Sequence, residues 1–113
     1  MALRLNTTSQ LISFHTELEN KTAEYYCTLA NLYPEYANTF IKLAEENKKH
    51  KEQVITAYRL GVTDAFEVGF STNPLDPSNY KLTMKGTGTL TKDIYIAIEN
   101  EKKVIKFCMD AIK

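Results

Sequence analysis

The chain has 113 residues, of which 43% are apolar and 25% charged, a size and balance that suit one globular domain. Fourteen basic side chains offset fourteen acidic ones, so no overall field draws the chain to nucleic acid or to an anionic membrane. No stretch nears the roughly twenty apolar residues of a membrane span. Met1–Asn6 also lacks the apolar segment of a secretory signal, so a cytoplasmic protein is expected.

In chain order, Thr7, Thr8 and Ser9 are competent N-caps for a first helix over about 8–32. Its apolar stripe reads Leu11/Ile12, His15, Leu18/Glu19, Thr22/Ala23, Tyr26 and Leu29/Ala30. His15 falls one turn before Glu19 and could donate to it, but the preferred reading is a partly exposed residue near the helix end. Pro34 stops this helix and suits the first turn of a second, over about 34–60, which Gly61 closes. So short a link predicts an antiparallel hairpin.

Phe40, Leu43, Ala44, Val54, Ala57 and Tyr58 recur at three- and four-residue spacing on the second helix. Asn47 and His50 fall on the same stripe, side by side, and a buried imidazole or amide needs a hydrogen-bond or metal partner. Lys48, Lys49 and Lys51 alternate with Glu45, Glu46 and Glu52 and read as a solvated face.

Residues 62–91 form a long crossover. Val62–Phe70 suits a short helical turn capped by Thr63, with Phe66 and Phe70 on the core. Ser71–Asn79 is dense in turn formers, and Tyr80–Met84 alternates, as a short strand or an extended connection would. A link of this length in a compact domain suits a run from one end of a bundle to the other. A third helix over about 92–113 carries Asp93 in its first turn, where a negative charge is favoured. Its stripe is Ile94, Ala97/Ile98, Glu101, Val104/Ile105, Cys108 and Ala111/Ile112. It meets Lys113 with no stop signal, and so reads as a helix that is cut off or continues.

Each helix thus carries one metal-ligand type within its apolar stripe: Glu19, His50 and Glu101. A carboxylate at such a position is costly unless paired, protonated or metal-bound. The alternative is that both carboxylates reach water at stripe edges while His50 bonds a hydroxyl such as that of Tyr26. Tyr25, Tyr26, Tyr33, Tyr36 and Tyr58 crowd the first hairpin, most of them as core or rim residues. Cys27 and Cys108 form no C-x-x-C pair. Either they bridge or, as expected in a cytoplasmic protein, they stay reduced and buried. Neither has a basic activator at helical spacing, so nucleophilic catalysis has no support.

Three segments together resemble the rubrerythrin branch of the ferritin-like superfamily. Glu19-Asn-Lys-Thr-Ala-Glu-Tyr-Tyr26-Cys-Thr-Leu-Ala30 is similar to its first helix, where a ligand Glu is followed by Tyr seven residues on and Ala eleven on. Phe40–His50 resembles the second helix, which ends in Glu-x-x-His, and Ile96–Cys108 resembles the third, with Glu101 at the ligand position. The resemblance implies an all-α, ferritin-like bundle with three long helices here and the fourth missing. It also implies a metal held by Glu19, Glu101 and His50, and redox handling of oxygen, peroxide or iron by a non-haem iron oxidoreductase.

The departures bear directly on that function. Asn47 stands where the bridging Glu would sit, Cys108 where the family usually has Tyr, and no second Glu-x-x-His follows. An amide is a poor iron ligand and neutralises none of its charge. A closed diiron centre within one chain is therefore not expected. A single iron or zinc completed by water is one expectation, and no metal at all is the equal one. Two functions follow: a rubrerythrin-related protein with an incomplete metal site, or a metal-free helical scaffold that binds a partner. Three helices leave a groove where a fourth would pack, and a homodimer that covers it is the expected partner arrangement.

Overall fold

A computed structural model describes Leu5 and residues 7–59 and 75–112. The expected Gly61 cap and the 62–70 turn fall outside these residues, as does the Tyr58 side chain. The regular structure among the described residues is all helical, with α1 over Thr8–Leu32, α2 over Ala37–Arg59 and α3 over Leu90–Ile112. Among the described residues the sole extended pairing is an isolated antiparallel bridge between Leu5 and Leu75.

Thr7 opens α1 with a reciprocal cap. Its hydroxyl accepts from the Gln10 backbone N–H at 3.1 Å, and its own N–H donates to Gln10 Oε1 at 3.2 Å. The second helix begins later than its sequence suggests. Pro34–Tyr36 forms a 3₁₀ turn, a tighter coil common at helix ends, and regular α-helix follows from Ala37. The third begins earlier than expected, at Leu90, because Gly88 takes a left-handed φ of 85° and turns the chain into the helix.

α1 is the central helix and packs against both α2 and α3. The start of α3 lies beside the end of α1, where the Tyr33 hydroxyl donates to Asp93. The end of α3 lies beside the start of α1, where the Phe14 and Phe107 rings meet edge to face with centroids 5.1 Å apart. α3 therefore runs antiparallel to α1 and parallel to α2. Two parallel helices joined in sequence need a connection running the length of the bundle.

Residues 81–89 are the last part of that connection and run beside α3 with no regular secondary structure. Asn100 on α3 takes the place of a neighbouring strand. Its Oδ1 accepts from Thr83 N–H at 3.0 Å and its Nδ2 donates to Thr83 C=O at 2.8 Å. Lys103 Nζ donates to the Lys81 carbonyl at 2.6 Å, and Tyr80 OH donates to Asp110 at 2.6 Å.

Two apolar clusters form the core. One joins Leu11 and Leu18 of α1 to Tyr80, Leu82, Val104 and Phe107. The other joins Tyr25, Tyr26 and Leu29 to Phe40, Ala44 and Ala97. Each large apolar side chain buried here contributes roughly 1.5–3 kcal/mol.

The α1 stripe is buried along its length, but the α3 stripe is rotated from its expected position. Asp93, Ala97, Asn100, Val104, Phe107 and Ala111 are buried, while Ile94, Ile98 and Ile105 are exposed. Phe40, Ala44 and Asn47 are buried on α2, whereas Leu43 is exposed. The cause is where each helix finds cover: α2 packs on α1, and α3 packs both on α1 and on the crossover segment bound to Asn100, Lys103 and Asp110. α2 and α3 each have a side covered by α1 and an adjoining side that opens onto the space between them.

Candidate functional site

The polar residues meet between the two apolar clusters, halfway along α1. His15 and Glu19, one turn apart on α1, are both buried, and His15 Nε2 lies 3.1 Å from Glu19 Oε2. The expected exposure of His15 is thus incorrect. α3 runs back along this half of α1 and covers the imidazole.

From α2, Asn47 is almost fully buried at 1% exposure. Its Nδ2 donates to Glu19 Oε1 at 2.7 Å and to Glu101 Oε1 of α3 at 3.2 Å. One amide thereby joins all three helices. Asn47 Oδ1 is buried with no hydrogen-bond partner.

His50 is not where a buried stripe would put it. Its side chain is 52% exposed, and Nδ1 lies 3.8 Å from Glu19 Oε2, too far for a hydrogen bond. One turn past Asn47, the helix has carried it to the edge of the open side. Tyr26 gives it no hydroxyl to bond; that ring packs near Phe40, with centroids 6.4 Å apart. Glu101 is half-buried at the same edge. The stripe-edge alternative therefore holds in part for Glu101 and not at all for Glu19. Glu19, His50 and Glu101, with Cys108 and Met109, line a cavity of about 310 Å³.

Burial shifts these groups. For His15, burial alone lowers the pKa, but attraction to the Cys108 sulfur and the Glu19 carboxylate outweighs it and lifts the imidazole to about 9. Burial raises the Glu101 carboxyl, and the Glu19 charge adds to this against the Asn47 hydrogen bond and His50. Burial and then Glu101 push the Tyr26 hydroxyl well above the ordinary phenol range.

A raised His15 gives a pH dependence of stability with a definite sign. The folded state holds the proton more tightly than the unfolded one, so this stabilisation is complete below about pH 6.5 and fades as pH rises through 9. The loss across that window has a ceiling of roughly 3 kcal/mol. Urea unfolding at pH 6.5 and pH 9 is expected to show the decline in the metal-free protein and to show it much reduced in His15→Gln. Equal slopes in the two proteins would refute the assignment.

The three expected ligands do converge on one cavity, but they do not form a cage. Among the described residues no three His, Cys, Asp or Glu side chains are grouped to hold a metal ion. The amide N–H₂ of Asn47 fills the space between the two carboxylates, and its protons point at the oxygens a metal would need. The donor set does not fit a dinuclear centre. The two cysteines are both free, and Cys27 is exposed, unlike the buried thiol expected, because it lies on the side of α1 away from the bundle interior.

Asn100 and Asp93 are both fully covered. From sequence alone Asn100 has no assigned structural role, and Asp93 is placed in the first turn of the helix with no indication of its buried hydrogen bonds. For Asn100 a signal exists: it shares the three- and four-residue spacing of Ala97, Val104 and Phe107.

No protein-family model matches the chain, and no curated protein or solved structure is significantly similar to it.

Proposed function

We propose that this chain is a metal-free helical scaffold of ferritin-like build, in which a hydrogen-bonded amide stands at the metal position and the open side between α2 and α3 binds a partner. The observation that carries this reading is Asn47 Nδ2, within hydrogen-bond distance of carboxylates from both other helices. This neutral donor, together with His15 beside Glu19, partners the two carboxylates without a metal ion, in keeping with the rule that buried charges must be partnered. The parallel run of α2 and α3, with a crossover spanning the bundle, supports the ferritin-like part of the proposal.

The second reading is a single metal ion held by Glu19, Glu101 and His50, and the cavity these three share favours it. It requires Asn47 to turn its N–H₂ away from both carboxylates. Such a site would offer a Lewis acid or, with iron, redox chemistry toward oxygen or peroxide.

Metal analysis separates the two readings. Purified protein loaded with Fe²⁺, Mn²⁺ or Zn²⁺ under anaerobic conditions and then desalted is expected to retain well under one equivalent. Retention of one equivalent that is lost in Glu19→Gln and Glu101→Gln would overturn the scaffold reading.

A further inference from the structure

Four of the five exposed large apolar residues of α3 are arranged about a midpoint; the fifth, Tyr95, lies to one side of this row. Ile94, Ile98, Ile105 and Met109 are 41%, 48%, 58% and 63% exposed. Ile94 and Met109 lie equally far from the point midway between residues 101 and 102, and so do Ile98 and Ile105. The two residues flanking that point are oppositely charged: Glu101 and Lys102. A helix with this pattern is complementary to itself when reversed.

We propose that the occupant of the groove between α2 and α3 is α3 of a second copy of this chain, packed antiparallel about a two-fold axis through the midpoint of residues 101 and 102. This rests on the partner-binding reading above and specifies the partner and its register. Ile98 meets Ile105 of the second copy, Ile94 meets its Met109, and each Glu101 faces a Lys102. An isologous interface demands this reciprocity, residue i against j and j against i.

Charge selects the antiparallel arrangement. A parallel arrangement in register would set Glu101 against Glu101, a like-charge contact at the centre of a desolvated seam. Lys102 is free to exchange partners, because its ion pair with Glu99 is a 3.3 Å contact on a side chain 70% exposed. The walls of the groove suit an apolar helix. Tyr36, Phe40 and Leu43 of α2 and the turn before it face Ile94 and Ile98 across a cavity of about 350 Å³, with Tyr26 of α1 among its lining residues.

Sedimentation velocity on the full chain, with two single variants, tests both the partner and the register. The wild type is expected to be dimeric at tens of micromolar. Ile98→Lys and Ile105→Glu each set a charge against an isoleucine and should weaken the dimer by about 100-fold or more. Both sites are exposed in the monomer, so each variant should keep the wild-type melting behaviour at monomer concentrations. Mixed one to one, the variants should dimerise again, since the introduced lysine of one then meets the introduced glutamate of the other while the second layer keeps its isoleucine pair.

A wild type that is monomeric at 200 µM would overturn the proposal. Variants that remain dimeric, or a mixture that stays monomeric, would overturn the register. None of these results depends on metal retention, so failure here is distinguishable from failure of the metal-free reading.

Discussion

Asp93→Ala is expected to destabilise the protein by about 3 kcal/mol, a large share of the roughly 5–15 kcal/mol that holds a domain of this size together. Asp93 is fully covered by its surroundings. Its Oδ1 accepts from the Thr87 N–H at 2.7 Å and the Thr87 hydroxyl at 2.9 Å, and its Oδ2 accepts from the Tyr33 hydroxyl. One carboxylate therefore ties the end of α1, the last turn of the crossover and the start of α3. Truncation to alanine leaves the half-buried Tyr33 hydroxyl and the Thr87 N–H without their acceptor and releases the exposed Thr87 loop from α3.

Asp93→Asn keeps the shape and part of the acceptor capacity and should lose less. Urea denaturation of the two variants measures both losses, and a loss under about 1 kcal/mol for Asp93→Ala would show that the carboxylate is not the tie. The pH dependence has the opposite sign to that of His15. Burial raises the Asp93 pKa, but hydrogen bonds from Tyr33, Thr87 and Gly88 outweigh it and hold the carboxyl below its ordinary value. This contribution is therefore present above the ordinary carboxylate pKa and is lost as pH falls through the depressed one.

Asn47→Glu is the second large effect, and it tests the site itself. The substitution removes the N–H₂ shared by Glu19 and Glu101 and adds a third carboxylate in its place. Metal-free, the variant should lose about 4 kcal/mol and melt roughly 15 °C lower, as expected for an unpaired buried charge. The same substitution completes a Glu-x-x-His pair opposite two carboxylates. Millimolar Mn²⁺ or Zn²⁺ should then raise the melting temperature of Asn47→Glu by most of that loss, since an ion that binds only the folded state stabilises it by mass action. Asn47→Leu should show no such recovery. If added metal leaves Asn47→Glu unmoved, Glu19, His50 and Glu101 are not placed to share an ion even when the acid is supplied.

Asp93 and Asn47 differ in how visible they are from sequence. The Asn47 site was legible because three helices each carry a ligand-type residue at a core spacing, and polar atoms within an apolar period are rare enough to notice. Asp93 was visible only as a favourable charge in a first helical turn. Its hydroxyl and amide partners lie far off in the sequence or on an irregular loop, and neither follows a period that could be read.

The three helices, their order and a first-helix start at Thr7, Thr8 or Ser9 were determined by local sequence. Caps, proline, glycine and a 3.6-residue period act within a few residues, and need no knowledge of the neighbouring elements. Only the tertiary structure decided which part of each wide stripe meets a neighbour. α1 and the crossover together cover the side of α3 that carries Ala97, Asn100 and Phe107, leaving Ile94, Ile98 and Ile105 on the open side. A rotation of less than half a helical turn separates the two stripes, and an apolar period over so broad a face does not distinguish them. The same rotation along α2 buries Asn47 and exposes His50. Burial depends on where a second helix lies, and the sequence of the first does not encode that distance.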